Sequence, residues 1–446
     1  MPPPFSLDSL VAPPYPRGID AAVQPESPSQ YWLRKRAEID LCRALVDEPP
    51  IDALGSVAAI GVEKRRLRAR LVARFIERTP SLTESNFAGE AIEVAGARLD
   101  FRYQRYDLRV RRRAFVSWVY PQPLPPHFGF GLLAASGMSA IAAALIALDR
   151  QLSGERRLGA SIDTYFETAQ LATHYLSRLR LVADLAAAGP GDVLLLDSIA
   201  RRSPAIAVAK LRLDGLLAVV CDTTCWDAAS PEIALIVGRC TEAAVPLLLV
   251  RSHLKLDCLG LEYGRLGSVV VVLPRPCERS ALALGRALRI RMLDFLAKSG
   301  AIASAPSLFP LSDHPEARRL NALRNLLLQR NNVRAATALA ETVHARSATR
   351  ILGYDHGRFL LAQPLVATDH AVGAFATDLV SALTDGNIEA RRAPSFGYDL
   401  VGVTHVAGAQ YQTSAAVRIA LPDLPGAELD RAIAILAEWA ERIDPQ

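Results

Sequence analysis

The chain has 446 residues, half of them apolar and 22% charged, so it can bury a substantial core and is not disordered throughout. Lysine and arginine number 51 against 46 aspartates and glutamates, and this net +5 excludes a wholly basic binding protein. Six scattered cysteines with no CxxC pair exclude a disulfide framework, so the expected compartment is the cytoplasm.

Residues 1–30 carry Pro2, Pro3, Pro4, Pro13, Pro14, Pro16, Pro25 and Pro28 and lack a basic start leading into an apolar run. They read as an extended, poorly ordered arm and not as a signal peptide. Residues 31–126 form an N-terminal helical and basic region. Periodicity predicts helices over Tyr31–Val46 and Ile51–Arg78, the second bearing Lys64, Arg65, Arg66, Arg68, Arg70, Arg74 and Arg78. Such a face either meets phosphates or, more commonly, is solvated and pairs with acids elsewhere. A strand-like stretch, Ala95–Tyr120, interleaves aromatics with Arg102, Arg105, Arg109, Arg111, Arg112 and Arg113 and ends at Pro121, Pro123, Pro125 and Pro126. Phe128–Leu148 has no charge before Asp149 and is long enough to cross a bilayer. Its Gly129, Gly131, Ser136, Gly137 and Ser139 and its many alanines predict a buried loop entering a helix instead.

Residues 127–305 alternate short apolar runs with helical stretches. Asp192–Leu196, Gly215–Cys221, Val245–Val250 and Ser268–Leu273 are expected strands buried on both faces, with helices at Ser136–Leu148 and Pro231–Ala243 between them. The alternation predicts a mostly parallel sheet covered by helices on both sides. Residues 306–446 read as a smaller C-terminal α/β domain, with a long helix at Glu316–Arg346 and an apolar run at Arg358–Leu365. A helix at His370–Thr384, strands near Arg391 and Ala415 and a closing helix at Ala427–Ile443 follow.

Ligands in open α/β sheets collect where strands end and helices begin, and four features fall there. Ser136-Gly137-Met138 opens a helix whose free amides and dipole suit a phosphate, with Gly137 allowing close approach. The overlapping Gly129-Phe130-Gly131-Leu132-Leu133-Ala134 is only a loose dinucleotide match, following prolines and with Asp149 as a distant acid. Val219-Val220-Cys221-Asp222-Thr223-Thr224 delivers a carboxylate at the end of a buried strand. Leu248-Leu249-Val250-Arg251-Ser252-His253-Leu254-Lys255 delivers a lysine, and an amine held among apolar groups sheds its proton and becomes a nucleophile towards carbonyls. Tyr165 offers an aromatic face or a phenol. Phosphate cradle, carboxylate and lysine together describe a pyridoxal 5'-phosphate (PLP) site, with Lys255 for the Schiff base and Asp222 for the ring nitrogen.

These segments resemble the fold type I PLP enzymes of cysteine and methionine metabolism, the cystathionine synthases and lyases and methionine γ-lyase. Ser136-Gly137-Met138-Ser139-Ala140-Ile141 is similar to that family's SGMAAI, Tyr165-Phe166-Glu167-Thr168 to its YGGT, Val220-Cys221-Asp222-Thr223-Thr224 to its VVDNT and Ser252-His253-Leu254-Lys255 to its SATK. Ser395-Phe396-Gly397 resembles SLGG, and Arg418-Ile419-Ala420-Leu421-Pro422-Asp423 resembles RLSVGLED. The resemblance runs from about Phe128 to the C-terminus. It implies an aspartate aminotransferase-like large domain, a small C-terminal domain and an N-terminal extension. It further implies cofactor contacts from Ser136, Gly137, Met138, Tyr165, Asp222, Thr224, Ser252 and Lys255, catalysis by Lys255 and Tyr165, and substrate binding by Arg418 and Ser395. The chain departs from the family at ESPxNP, where it has Asp197-Ser198-Ile199-Ala200-Arg201-Arg202, and at Leu254. The family's Tyr-x-Arg that reaches the neighbouring subunit's phosphate has only Tyr103-Gln104-Arg105 or Tyr106 with Arg109 as counterparts.

The implied activity is β- or γ-elimination or replacement on an amino acid in specialised amino-acid metabolism, with Lys255 moving the α-proton. An aminotransferase, or a protein that keeps the fold without turnover, would use the same residues. The expected assembly is a homodimer or homotetramer, without nucleic acid or membrane partners. The eight histidines show no ligand spacing, so no metal is expected.

Overall fold

The computed structural model describes residues 26–77, 92–94, 97–99, 119–120, 127–274, 279–303, 307–343, 349–364, 368–407 and 415–442. Helix α1 (Pro28–Ala44) starts inside the expected arm because Ser27 caps it. The Ser27 side chain accepts from the Gln30 amide at 3.3 Å, the Gln30 side chain takes the Ser27 amide at 2.9 Å, and Pro28 fits the first turn. Helix α2 (Val57–Glu77) and a short antiparallel hairpin, β1 (Ile92–Val94) with β2 (Ala97–Leu99), follow. Arg102, Arg105, Arg109, Arg111, Arg112, Arg113, Tyr103 and Tyr106 lie outside the described residues.

The large unit comprises β3 (His127–Ala134), α3 (Gly137–Asp149), β4 (Arg156–Ala160), α4 (Phe166–Tyr175), β5 (Leu179–Val182), β6 (Val193–Asp197) and α5 (Pro204–Val208). It continues with β7 (Ala218–Asp222), α6 (Pro231–Glu242), β8 (Leu247–Ser252), α7 (His253–Leu256), β9 (Gly267–Pro274) and α8 (Arg279–Lys298). Its seven-stranded sheet has the order β3-β9-β8-β7-β6-β4-β5, parallel except that β9 runs against both neighbours. The central strands are apolar at consecutive positions up to their carboxyl ends because each face meets a core. Leu194, Leu196, Val219, Cys221, Leu247 and Leu249 point into one cluster, while Val193, Leu195, Val220, Leu248 and Val250 point into the other. Helices α5 and α6 cover the first face and α3 and α8 the second.

The expected loop at Phe128 is instead strand β3, paired with β9 over its whole length. Phe130, Leu132 and Ala134 alternate into the second core, and Gly129 and Gly131 fall on the other side, so the uncharged run reflects burial in a sheet. Asp149, the loose ribose candidate, accepts the amides of Ser177, Arg178 and Leu179 and ties α3 to β5.

The smaller unit comprises α9 (Pro315–Val343), β10 (Arg350–Leu352), β11 (Leu360–Gln363), α10 (Asp369–Asp385), β12 (Ala390–Arg392), β13 (Val401–Val406), β14 (Ala416–Ala420) and α11 (Gly426–Arg442). Its five strands lie in the order β10-β11-β14-β13-β12, antiparallel apart from the β12–β13 pair. Among the described residues no helix is long and apolar enough to cross a membrane, and no group of His, Cys, Asp and Glu could hold a metal ion.

The basic helix α2 meets acids. Arg66 pairs with Glu48 and Glu63, Arg70 with Glu48, Arg74 with Asp47, and the buried Lys64 with Glu38 and Asp399. Lys64 belongs to a buried set of four cations and four carboxylates. Arg34 binds Glu26, Glu38 and Asp423, Lys35 binds Glu38, Asp399 and Asp423, and Arg324 of α9 lies 3.5 Å from Asp399. The N-terminal helices are thereby fastened to the small unit through charges removed from water.

Candidate active site

Because β6, β7 and β8 are parallel and in register, Asp197 sits beside Asp222, and Asp222 beside Val250, at the carboxyl ends of the central strands. Helix α3 begins at the same end. Its N-cap Ser136 accepts the Ser139 amide at 3.0 Å, and Gly137 packs so tightly on β8 that a Cβ would lie 2.7 Å from the Ser252 Cβ. Gly267 is equally constrained, since a Cβ there would overlap the Ser136 carbonyl. Close backbone approach therefore brings the free amides of α3 to Ser252.

A cavity of about 160 Å³ opens at this junction, lined by Ser136, Gly137, Met138, Tyr165, Asp197, Ile199, Asp222, Thr224, Cys225, Ser252, Lys255 and Phe396. Every expected cofactor-contacting residue lies on it. Thr224 couples two of the strands, with its amide donating to Asp222 at 2.8 Å and its hydroxyl accepting the Ser252 amide at 3.0 Å. Lys255 lies one turn beyond β8, in the short helix α7. That helix is pinned by His253, which contacts Asp257 at 2.7 Å and the Ser268 hydroxyl at 2.8 Å, so His253 has a structural partner on each ring nitrogen. Arg251 grips Asp257 through both of its carboxylate oxygens.

Burial pulls the Lys255 amine below the usual lysine range, and the Arg418 charge pushes the same way, against Cys225, Asp222 and Glu167. Burial raises the Asp222 carboxyl, opposed by hydrogen bonds from Thr224 and by the Lys255 and Arg251 charges. Asp197 is pushed up to about 7, first by burial and then by Asp222, although the Ile199 and Tyr165 amides donate to it at 3.0 and 2.9 Å.

Arg418 is 7% exposed on β14, its guanidinium carbon 5.4 Å from the Phe359 ring centroid. Asp423, at the end of the same motif, is held by Arg34 and Lys35. Neither Arg418 nor Ser395 lines the cavity. The neighbouring Phe396 does, with its ring centroid 4.7 Å from Lys255 Nζ. Asp197, Ile199 and Cys225 are cavity residues that the motif comparison left without a role. Asp197 ends a buried strand just as Asp222 does, which is the signal that marks it.

No family model and no curated protein matches the chain. Among solved structures it is similar to cystathionine gamma-lyase from Lactobacillus plantarum complexed with L-serine, at 14% identity and a TM-score of 0.50 over 75% of this chain and 88% of that one. The fold type I architecture implied by the motifs is thus the fold of this chain.

Proposed function

We propose that the chain is a PLP-dependent enzyme that acts on an amino acid, by β- or γ-elimination or replacement as in cysteine and methionine metabolism. The observation that supports this most is the meeting of the α3 amides, Ser252, Asp222 and Lys255 on one cavity. The residues fit the cofactor. The Gly137–Ser252 approach leaves a cradle for phosphate, a carboxylate stands at a strand end for the ring nitrogen, and a desolvated amine stands beside it.

When bound, PLP supplies an aldehyde and an electron sink for bonds broken at the α-carbon. The α3 amides, Ser252 and Thr224 would hold its phosphate, Asp222 would keep the ring nitrogen protonated and Tyr165 would cover the ring. Lys255, whose amine sheds its proton more readily than an exposed lysine's, would hold the cofactor and carry the α-proton. Arg418 would pair with the α-carboxylate. The solved neighbour's title names it a cystathionine gamma-lyase complexed with L-serine, which accords with an amino-acid substrate here.

Borohydride reduction of PLP-reconstituted protein followed by peptide mapping should place the adduct on Lys255. Label on another lysine, or no visible absorbance after reconstitution, would overturn the assignment. Turnover that depends on an added keto acid would mark a transaminase instead.

A further inference from the structure

Phe396 lines the cavity with its ring 4.7 Å from Lys255 Nζ, and the residues that hold its chain neighbours in place lie outside the cavity. Gly397 follows it at φ +88°, packed so closely that a Cβ would overlap the Lys255 carbonyl oxygen. Arg324 donates to the carbonyls of Gly397 and Tyr398 at 2.8 and 2.9 Å. Asp399 ends the turn, bound by Lys35 and, at 2.8 Å, by Lys64. The same Lys64 ammonium donates at 2.6 Å to the carbonyl of Leu259, four residues beyond Lys255. One buried side chain of α2 thus grips the segment that follows Lys255 and the turn that covers it.

We propose that Lys64 is a positioning residue which, with Lys35 and Arg324 completing the clamp on Asp399, fixes Phe396 and Gly397 against Lys255 and limits the water that reaches its amine. The N-terminal helices thereby act on the cavity without contributing to its wall. The role of the amine rests on the function proposed above, but the clamp can be read without PLP.

Competitive acetylation of the full-length chain across pH, without added cofactor and read at Lys255 by peptide mass spectrometry, measures that amine directly. The titratable and charged groups that face Lys255, namely Asp222 of β7, Cys225, Glu167 of α4 and Arg418 of β14, are unchanged in every variant. Lys64→Met and Asp399→Asn should each move Lys255 upward by about one pH unit as water reaches it, and Lys64→Arg should restore it. Long-range charge alone would send the two variants in opposite directions, because one loses a cation and the other an anion. A downward shift in Asp399→Asn would therefore overturn the proposal. Phe396→Ala leaves the clamp intact and should reproduce the upward shift even if the clamp variants fold poorly. An unchanged Lys255 in that variant would equally overturn it. Failure of PLP to bind would refute the proposed function and leave this measurement standing.

Discussion

At the scale of residues, two side chains lend themselves to measurement: Arg418, which lies outside the cavity wall, and Asp197, which lines it. Arg418 presents a planar fork that a lysine cannot reproduce, so Arg418→Lys should raise the Michaelis constant for amino acids by about thirtyfold, roughly 2 kcal/mol, with cofactor absorbance unchanged. Unchanged saturation in coloured protein would show that the α-carboxylate is held elsewhere. Asp197 reports through pH. Its folded-state value of about 7 lies above the roughly 3.9 of an unfolded chain, so between these values the folded protein binds more protons. The group's contribution to stability is complete below about pH 4 and lost as pH rises through about 7. Asp197→Asn should flatten that decline in thermal midpoints across the window; Asp222, shifted the same way, keeps it from vanishing. An unaltered slope would show that Asp197 titrates as an ordinary exposed acid.

At the scale of elements, the buried strands were legible because Val193–Leu196, Val219–Cys221 and Leu247–Val250 are apolar at consecutive positions, a pattern that only a doubly covered strand requires. Strand β3 was not, because its glycines imitate a loop and its partner β9 lies more than a hundred residues along the chain. Strands β4 and β5 were missed because Arg156, Arg157 and Arg180 interrupt their apolar character near the sheet edge. Helix α1 was legible as a helix, but its polar face gave no sign of burial. Arg34, Lys35 and Glu38 are fully buried, and Arg34→Leu should strand Glu26 and Asp423 and cost about 3–5 kcal/mol in denaturant unfolding. Arg36→Ala, at a half-exposed pair with Asp40 on the same helix, should cost no more than about 1 kcal/mol. Equal effects would mean that the buried charges are not interdependent.

At the scale of the whole molecule, buried ion pairs tie the N-terminal helices to the small unit. Lys64 reaches Asp399 across 335 positions of sequence and Arg34 reaches Asp423 across 389. The resemblance to fold type I enzymes implies a homodimer or homotetramer, and sedimentation at working concentration should show at least a dimer. A fully active monomer would refute it.

Local residue patterns alone mark most of what lines the cavity. Ser136-Gly137-Met138, Tyr165, Asp222, Thr224, Ser252 and Lys255 stand in local patterns, each fixed by what a strand end or helix start demands of its own few residues, and all of them line the cavity. Tertiary structure alone decided the rest. Phe396 and not Ser395 faces Lys255, Asp197 shares its environment with Asp222, and the arginine-rich helix faces acids, because each depends on segments brought together from distant parts of the chain. A charged residue carries the same letter whether water or a counter-ion surrounds it, and only packing determines which.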